Sequence, residues 1–188
     1  MKVVVFDGSG RPGGSITVLL ARVRDELEAE GVETEALRLE KNPYTGCTVC
    51  GQCAHRRDLS CSHPPEDGLR RCVRKLIAAD GLVIGSPAYS AKCSPAAQAL
   101  MVRADQARRA GVDDPLAGKV AGAVVDVRSP GSAGTYRTLT EWFSRHGMIV
   151  VDGSCFAHGA GAQRDDDGAE AMAALGRAMA GSLKRLAG

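Results

Sequence analysis

The chain has 188 residues, enough for one domain or for one domain with an elaborated loop. Hydrophobic residues make up 44% of it, which suffices for a packed core and argues against disorder. The formal net charge is only +2, with basic and acidic residues interspersed, so we expect neither a nucleic-acid partner nor a membrane surface. The N-terminus lacks the apolar run of a signal peptide, and no apolar stretch approaches the roughly 20 residues that cross a bilayer, so we expect a cytoplasmic protein.

Apolar runs and helical periodicity alternate along the chain. Lys2–Phe6 and Gly81–Gly85 are continuous apolar runs, typical of strands buried on both faces of a parallel sheet. Leu19, Val23 and Leu27 recur every four residues, which predicts an amphipathic helix. The alternation predicts one α/β domain with right-handed crossovers. In chain order we expect strand Lys2–Phe6, helix Ser15–Glu30, strand Glu33–Leu39, an irregular stretch Glu40–Asp67, helix Gly68–Ala79, strand Gly81–Gly85, helix Pro95–Ala110, strand Lys119–Val127, helix Tyr136–His146, strand Met148–Asp152 and helix Ala169–Leu186.

The loop after the first predicted strand, Gly8–Thr17, is rich in glycine and hydroxyl groups. Glycines let the backbone approach an anion closely, and the helix that follows offers free N–H groups and a positive dipole end. Ser9, Ser15 and Thr17 add hydroxyl donors. Arg11 adds a charge that can pair with a terminal phosphate. We therefore expect this loop to bind a phosphate-bearing redox cofactor.

This loop is compatible with two kinds of nucleotide. Gly8, Gly10 and Gly13 have the spacing of the dinucleotide fingerprint, and Glu40 after the second strand can hold a ribose. That fingerprint packs a pyrophosphate against nearly bare backbone, whereas hydroxyls with Arg11 suit a monophosphate dianion such as that of FMN. No Gly-Lys-Ser/Thr closes the loop, so it is not a Walker loop. An ordinary glycine-rich turn, capped by Ser15 and without a ligand, is the remaining alternative.

Two further loops follow the third and fourth predicted strands at the same edge of the sheet. Pro87 stiffens the loop Gly85–Ser90, whose amides can bond the edge of a planar heterocycle while Tyr89 covers its face. Arg128 opens the loop Arg128–Thr135, and a cation near a flavin favours its anionic reduced form. The alternatives are an ordinary turn with a surface tyrosine and a solvated arginine.

Four segments together resemble the NAD(P)H-dependent FMN reductases of flavodoxin-like fold: GSGRPGGSITVLL, the cysteine-rich stretch, GSPAYS and RHGMIVVDG. The resemblance covers nearly the whole chain and points to the iron–sulfur flavoprotein branch. It implies a flavodoxin-like three-layer sandwich over residues 1–188, with a five-stranded parallel sheet in the order 2-1-3-4-5 and a Cys-rich insertion at about residues 40–67 after strand 2. It also implies FMN across the strand tips, NAD(P)H as co-substrate, and a homodimer or homotetramer.

By position, the resemblance assigns roles to individual residues. Those that would hold the phosphate are Ser9, Arg11, Gly14, Ser15, Ile16 and Thr17. Those that would line the flavin ring are Pro87, Ala88, Tyr89 and Ser90, with Arg128 and Gly131 near its far side. Family members often have Pro at the position of Gly10 and Asn-Thr at Ser15-Ile16, so part of the phosphate contact falls to the backbone here.

Seven cysteines are a high number for such a chain. In a reducing compartment, clustered cysteines indicate metal, iron–sulfur or thiol chemistry rather than a disulfide framework. Four of them have two, two and seven intervening residues: Cys47, Cys50, Cys53 and Cys61. Such thiolates can hold a [4Fe–4S] cluster, and the spacing resembles the compact motif of iron–sulfur flavoproteins. The two separated CxxC knuckles of a structural zinc site are absent, and free or disulfide-linked thiols are the alternative. The other three are expected to be packing residues: Cys72, Cys93 and Cys155. The alternative for Cys93 is a role at the flavin, because it follows the Gly85–Ser90 loop closely.

These features predict an FMN-dependent oxidoreductase. We expect it to take a hydride from NAD(P)H and to pass electrons to a small-molecule or protein acceptor. A [4Fe–4S] cluster would pass on the two electrons of each hydride one at a time. The chain has no room for a separate nicotinamide domain, so both substrates would use the same flavin face in turn. The first alternative is a non-enzymatic electron carrier of flavodoxin and iron–sulfur type. The second is a Rossmann-type NAD-binding protein, against which the five-strand plan and the hydroxyl-rich loop count.

Overall fold

A computed structural model describes most of the chain, in the ranges 1–41, 46–56, 68–108, 113–126, 130–151, 156–157 and 166–188. Cys61, Arg128 and Cys155, which the sequence singles out, lie outside these ranges. None of the helices in the described ranges has the length and apolar character needed to span a bilayer.

Helices and strands alternate as predicted, with small differences in their bounds. The strands are β1 (Lys2–Asp7), β2 (Glu33–Arg38), β3 (Gly81–Ser86), β4 (Val120–Asp126), β5 (Ile149–Val150) and β6 (Phe156–Ala157). The α-helices are α1 (Ser15–Ala29), α2 (Gln52–Arg56), α3 (Gly68–Ala78), α4 (Pro95–Arg108), α5 (Ser132–Arg145) and α6 (Asp166–Ala187), and a short 3-10 helix covers Leu39–Lys41.

The strands form one parallel sheet in the order β2-β1-β3-β4-β5, which confirms the predicted 2-1-3-4-5 topology. β1 lies between β2 and β3, with Asp7 opposite Arg38 on one side and Gly85 on the other. β5 is shorter than the predicted Met148–Asp152 and pairs with the start of β4. The short β6 lies parallel to the carboxyl end of β4, beside Val125 and Asp126.

The sheet separates two apolar layers. Val3 and Val5 pack with α1 and α6 on one face, whereas Val4 and Phe6 pack with α3, α4 and α5 on the other. Each of these strand side chains is at most 1% exposed. Burial of each side chain of this size contributes about 1.5–3 kcal/mol to the free energy of folding. Both faces of β1 therefore stabilise the packing of the sheet between the two helical layers.

Three helices show further differences from the sequence prediction. Helix α2 lies inside the stretch predicted to be irregular, and Gly51 precedes it with a left-handed φ of 75°. α5 begins at Ser132 rather than at Tyr136, because Gly131 caps it with a φ of 88°. α6 begins three residues earlier than predicted, at Asp166.

A buried histidine joins the elements at the amino edge of the sheet. The Nδ1 atom of His146 lies 2.7 Å from Asp114 Oδ2, and its Nε2 atom lies 2.8 Å from Asp105 Oδ1. Burial by itself lowers the pKa of His146, but the hydrogen bonds to Asp105 and Asp114 outweigh it and raise the pKa above its ordinary value. The cluster fixes the ends of α4 and α5 away from the loops at the carboxyl edge.

Candidate cofactor site

The loops after β1 and β3 meet at the carboxyl edge of the sheet, because the two strands are neighbours. The amide of Gly8 donates to the carbonyl oxygen of Gly85 at 2.8 Å. A Cβ atom on Gly8 would lie 2.9 Å from Ser94 Oγ and 3.0 Å from Gly85 O, so a larger residue does not fit. This close approach fixes the start of the first loop against β3.

The N-terminus of α1 presents unused backbone donors. Gly14 is the N-cap residue, and no side chain caps the helix. Within the described residues, the amides of Ser15, Ile16 and Thr17 have no hydrogen-bond acceptor. The exposed guanidinium of Arg11 makes no hydrogen bond or ion pair there either. Free N–H groups with a nearby cation are the donor set that an anion requires at a helix N-terminus.

The hydroxyl groups of the first loop face carboxylates instead of open space. Ser9 Oγ donates to Asp7 Oδ1 at 2.6 Å, and the Ser9 amide donates to the same oxygen at 2.8 Å. Thr17 Oγ1 donates to Asp7 Oδ2 at 2.7 Å. Ser15 Oγ donates to Asp126 Oδ2 at 2.9 Å. The hydroxyls that the sequence suggested as phosphate donors are therefore committed to two acidic side chains.

Sequence reasoning missed three charged residues at this edge. Asp7 and Asp126 are the last residues of β1 and β4 and are 6% and 9% exposed. Arg38, the last residue of β2, has its Nε atom 3.9 Å from Asp7 Oδ2. The sequence did contain a signal for the two aspartates, because each one ends an apolar run that forms a buried strand. A buried charge is costly unless it has partners, so an acidic residue at such a position indicates a site.

The loop after β3 is built on two serines. Ser86 is fully buried, accepts the amide of Ser94 at 2.8 Å and donates to the carbonyl of Pro87 at 2.9 Å. Ser94 in turn accepts the amide of Ala97 at 3.2 Å. Ser94 is thus the N-cap of α4, followed by Pro95 at the first helical position, which is the arrangement that such caps favour.

A tight turn projects Tyr89 from this loop. The backbones of Tyr89 and Lys92 exchange hydrogen bonds of 2.8 and 2.9 Å. The two residues between them have left-handed φ angles, 48° at Ser90 and 61° at Ala91. Left-handed backbone at two successive non-glycine residues is strained and persists only where neighbouring contacts hold it. The Tyr89 side chain is 51% exposed at the tip.

The start of α5 supplies those neighbouring contacts. A Cβ atom on Gly131 would lie 2.5 Å from Ala91 Cα, and one on Gly134 would lie 2.7 Å from Ala91 O. Thr135 Oγ1 donates to the carbonyl of Lys92 at 2.9 Å. The turn therefore packs directly on the backbone at the start of α5, with Ala91 against Gly131 and Gly134.

The cysteine loop is only partly described. Cys47 and Cys53 are partly exposed, and Cys50 is exposed. Val49, with a φ of 54°, donates its amide to Cys47 Sγ at 3.4 Å. Within the described residues, no three His, Cys, Asp or Glu side chains form a group that can hold a metal ion.

Two other cysteines are packing residues, as expected. Cys72 and Cys93 are 2% and 0% exposed and belong to the core between the sheet and α3, α4 and α5. Burial raises the pKa of Cys93 to about 11, so this residue is a neutral thiol. It lies close to the Tyr89 turn but serves it as a small apolar group.

The sheet order and the loops gathered at one edge define a doubly wound α/β protein of flavodoxin-like type, in which ligands bind outside the carboxyl ends of the strands. Residues 1–163 match the NADPH-dependent FMN reductase family. The chain therefore belongs to that family of flavin-dependent oxidoreductases.

Named relatives agree with this assignment. An iron–sulfur flavoprotein of Methanocaldococcus jannaschii is 33% identical, with 98% of both chains covered. An iron–sulfur flavoprotein of Methanosarcina thermophila is 29% identical, with 80% of this chain and 77% of that one covered. In fold, the chain resembles FerB, a flavoenzyme NAD(P)H:(acceptor) oxidoreductase from Paracoccus denitrificans, with a TM-score of 0.70 at 16% identity over 98% of this chain and 97% of that one.

The glycine contacts between the two loops give a testable consequence for stability. Gly131→Ala would force a Cβ atom onto Ala91 at a residue with left-handed backbone. We expect it to lower the free energy of unfolding by about 1–3 kcal/mol, measured by urea denaturation. Gly10→Ala is the matched control, because nothing lies within 4 Å of its added Cβ. Equal stability of the two variants would contradict the packing of the turn on the third loop.

Proposed function

We propose that this chain binds FMN and takes a hydride from NADH or NADPH, which it passes on as electrons to a small-molecule or protein acceptor. When bound, FMN supplies the hydride-accepting ring. The observation that carries the proposal is the unused donor set at the N-terminus of α1, next to the loop with the exposed Tyr89. Family membership and the flavoenzyme neighbours support it.

The phosphate would be held mainly by backbone. The amides of Ser15, Ile16 and Thr17 point out of the first turn of α1, where the helix dipole also favours an anion. Gly13 has a φ of 68°, a conformation that suits glycine and that lets the loop turn towards the helix. Arg11 is free to close over the phosphate with a charge-assisted hydrogen bond.

The ring would lie against the loop from Pro87 to Ser90. This loop is rigid at its base, because Ser86 binds it to the cap of α4. Its tip is held by the contact of Ala91 with Gly131. Tyr89 can cover one part of the ring and leave a face open for the nicotinamide and then for the acceptor. No side chain is needed as an acid or base, since the flavin carries the chemistry.

The test is an anaerobic stopped-flow experiment on protein loaded with FMN. We expect NADPH or NADH to bleach the visible flavin absorbance, and a single-electron or two-electron acceptor added afterwards to restore it. The nicotinamide that reacts faster identifies the physiological donor. Absence of bleaching by both nicotinamides would contradict the reductase function, and rapid reduction by a ferredoxin-like protein in that case would identify an electron carrier.

A [4Fe–4S] cluster on Cys47, Cys50, Cys53 and Cys61 is the second part of the proposal. The three cysteines in the described part of this loop are all at least partly exposed. The amide of Val49 donates to Cys47 Sγ, which is the kind of hydrogen bond that stabilises a ligating thiolate. The names of the relatives support a cluster. Such a group would let the chain release hydride electrons one at a time.

Iron and sulfide analysis tests the cluster separately from the flavin. Protein reconstituted without oxygen is expected to contain iron and acid-labile sulfide in equal amounts. Cys50→Ala should lose most of both, because it removes a ligand. Cys72→Ala should keep them, because Cys72 is a core residue on α3. Iron-free wild-type protein, or equal iron in the two variants, would overturn the assignment.

A further inference from the structure

Two carboxylates, at the ends of β1 and β4, accept hydrogen bonds from the loop hydroxyls that would otherwise meet a phosphate. Asp7 accepts three hydrogen bonds from the loop, from the Ser9 amide, the Ser9 hydroxyl and the Thr17 hydroxyl. Asp126 accepts one from Ser15. Asp7 is only 6% exposed, and Arg38 Nε lies 3.9 Å from its Oδ2 atom.

A hydroxyl group has a single hydrogen to donate. While Ser9 and Thr17 donate to Asp7, they can offer a bound phosphate only lone pairs, which a dianion repels. If the hydroxyls turned to the phosphate instead, the buried Asp7 carboxylate would lose two of its three donors from the loop, which is costly for a buried charge. In both arrangements the Asp7 carboxylate also repels the phosphate, because only a hydroxyl group separates the two negative charges.

We propose that Asp7 is a specificity-determining residue that weakens the phosphate contribution to flavin binding, so that the site selects its flavin mainly by the ring and prefers FMN over riboflavin only modestly. This inference rests on the proposed flavin function of the site. It predicts that FMN is exchanged rather than held permanently, since its phosphate is bound by the α1 amides and Arg11 without help from the three hydroxyls.

The substitution Asp7→Asn separates these effects with little change of shape. Asparagine keeps one oxygen for the Ser9 donors, whereas its NH2 group replaces the oxygen that accepts from Thr17. The Thr17 hydroxyl is then free to donate to a phosphate, and one negative charge is removed. Asp25→Asn is the matched control, because it makes the same chemical change at an exposed position on α1, about 15 Å along the helix from Ser15.

The experiment is a calorimetric titration of flavin-free protein with FMN and with riboflavin. The readout is the ratio of the two dissociation constants, which cancels any effect on the ring-binding loops. We expect Asp7→Asn to raise the preference for FMN at least tenfold, and Asp25→Asn to change it less than twofold. A preference in Asp7→Asn within twofold of wild type would overturn this inference alone. Failure of wild-type protein to bind either flavin would overturn the proposed function together with it.

Thr17→Val supplies a second, independent readout. Because the Thr17 hydroxyl serves Asp7 in the wild type, its removal is expected to cost less than threefold in FMN affinity. In the Asp7→Asn background the same change should cost at least fivefold more than in the wild type, since the hydroxyl then faces the phosphate. A loss of tenfold or more from Thr17→Val in otherwise wild-type protein would contradict the inference, even if Asp7→Asn did not fold.

Discussion

The hydrogen bond from the Gly8 amide to the Gly85 carbonyl sets the geometry on which the rest of the site depends. It requires a backbone without a Cβ atom at the point where the first loop passes β3 and the cap of α4. From there, Ser15 reaches across to Asp126 at the end of β4. Contacts of Gly131 and Thr135 with the Tyr89 turn join the remaining loops. The carboxyl edge is therefore one connected framework, preorganised for a planar ligand that bears an anion.

Within this framework, backbone and side chains act in opposite directions on a phosphate. The free amides of α1 attract it, as in many nucleotide-binding folds. The carboxylates of Asp7 and Asp126 occupy the hydroxyls and add like charge. On our proposal, such a site would orient a flavin without binding its phosphate strongly. Such a balance suits a protein in which the flavin is exchanged as well as reduced and oxidised.

The sequence was sufficient for the sheet and for the location of the loops. The buried runs of β1, β3 and β4 carry their own signal, because strands covered on both faces are continuously apolar. Glycine and proline marked the loops, and the resemblance of four segments to one family supplied the strand order. The helix after the glycine-rich loop predicted free N–H groups, and the structure adds that its N-cap, Gly14, has no capping side chain.

Hydrogen-bond direction in the loop did not follow from the sequence. Whether a serine donates to a ligand or to a carboxylate depends on which acceptors the fold brings near it. Ser15 and Asp126 are 111 residues apart in the chain. The left-handed turn at Ser90 and Ala91 was equally hidden, since neither residue favours that backbone and a contact distant in sequence, with the start of α5, helps to hold it. Short elements such as α2 have too few residues for a periodic pattern.

The measurement that tests the account most directly is a set of amide chemical shifts recorded while flavin-free protein is titrated with FMN and with riboflavin. If the α1 amides hold the phosphate, the signals of Ser15, Ile16 and Thr17 will move with FMN and hardly move with riboflavin. The signals of Tyr89 to Ala91 will move with both, since both flavins carry the ring. Equal responses of Ser15 to Thr17 to the two flavins, or no response to either, would contradict the placement of the phosphate on this loop.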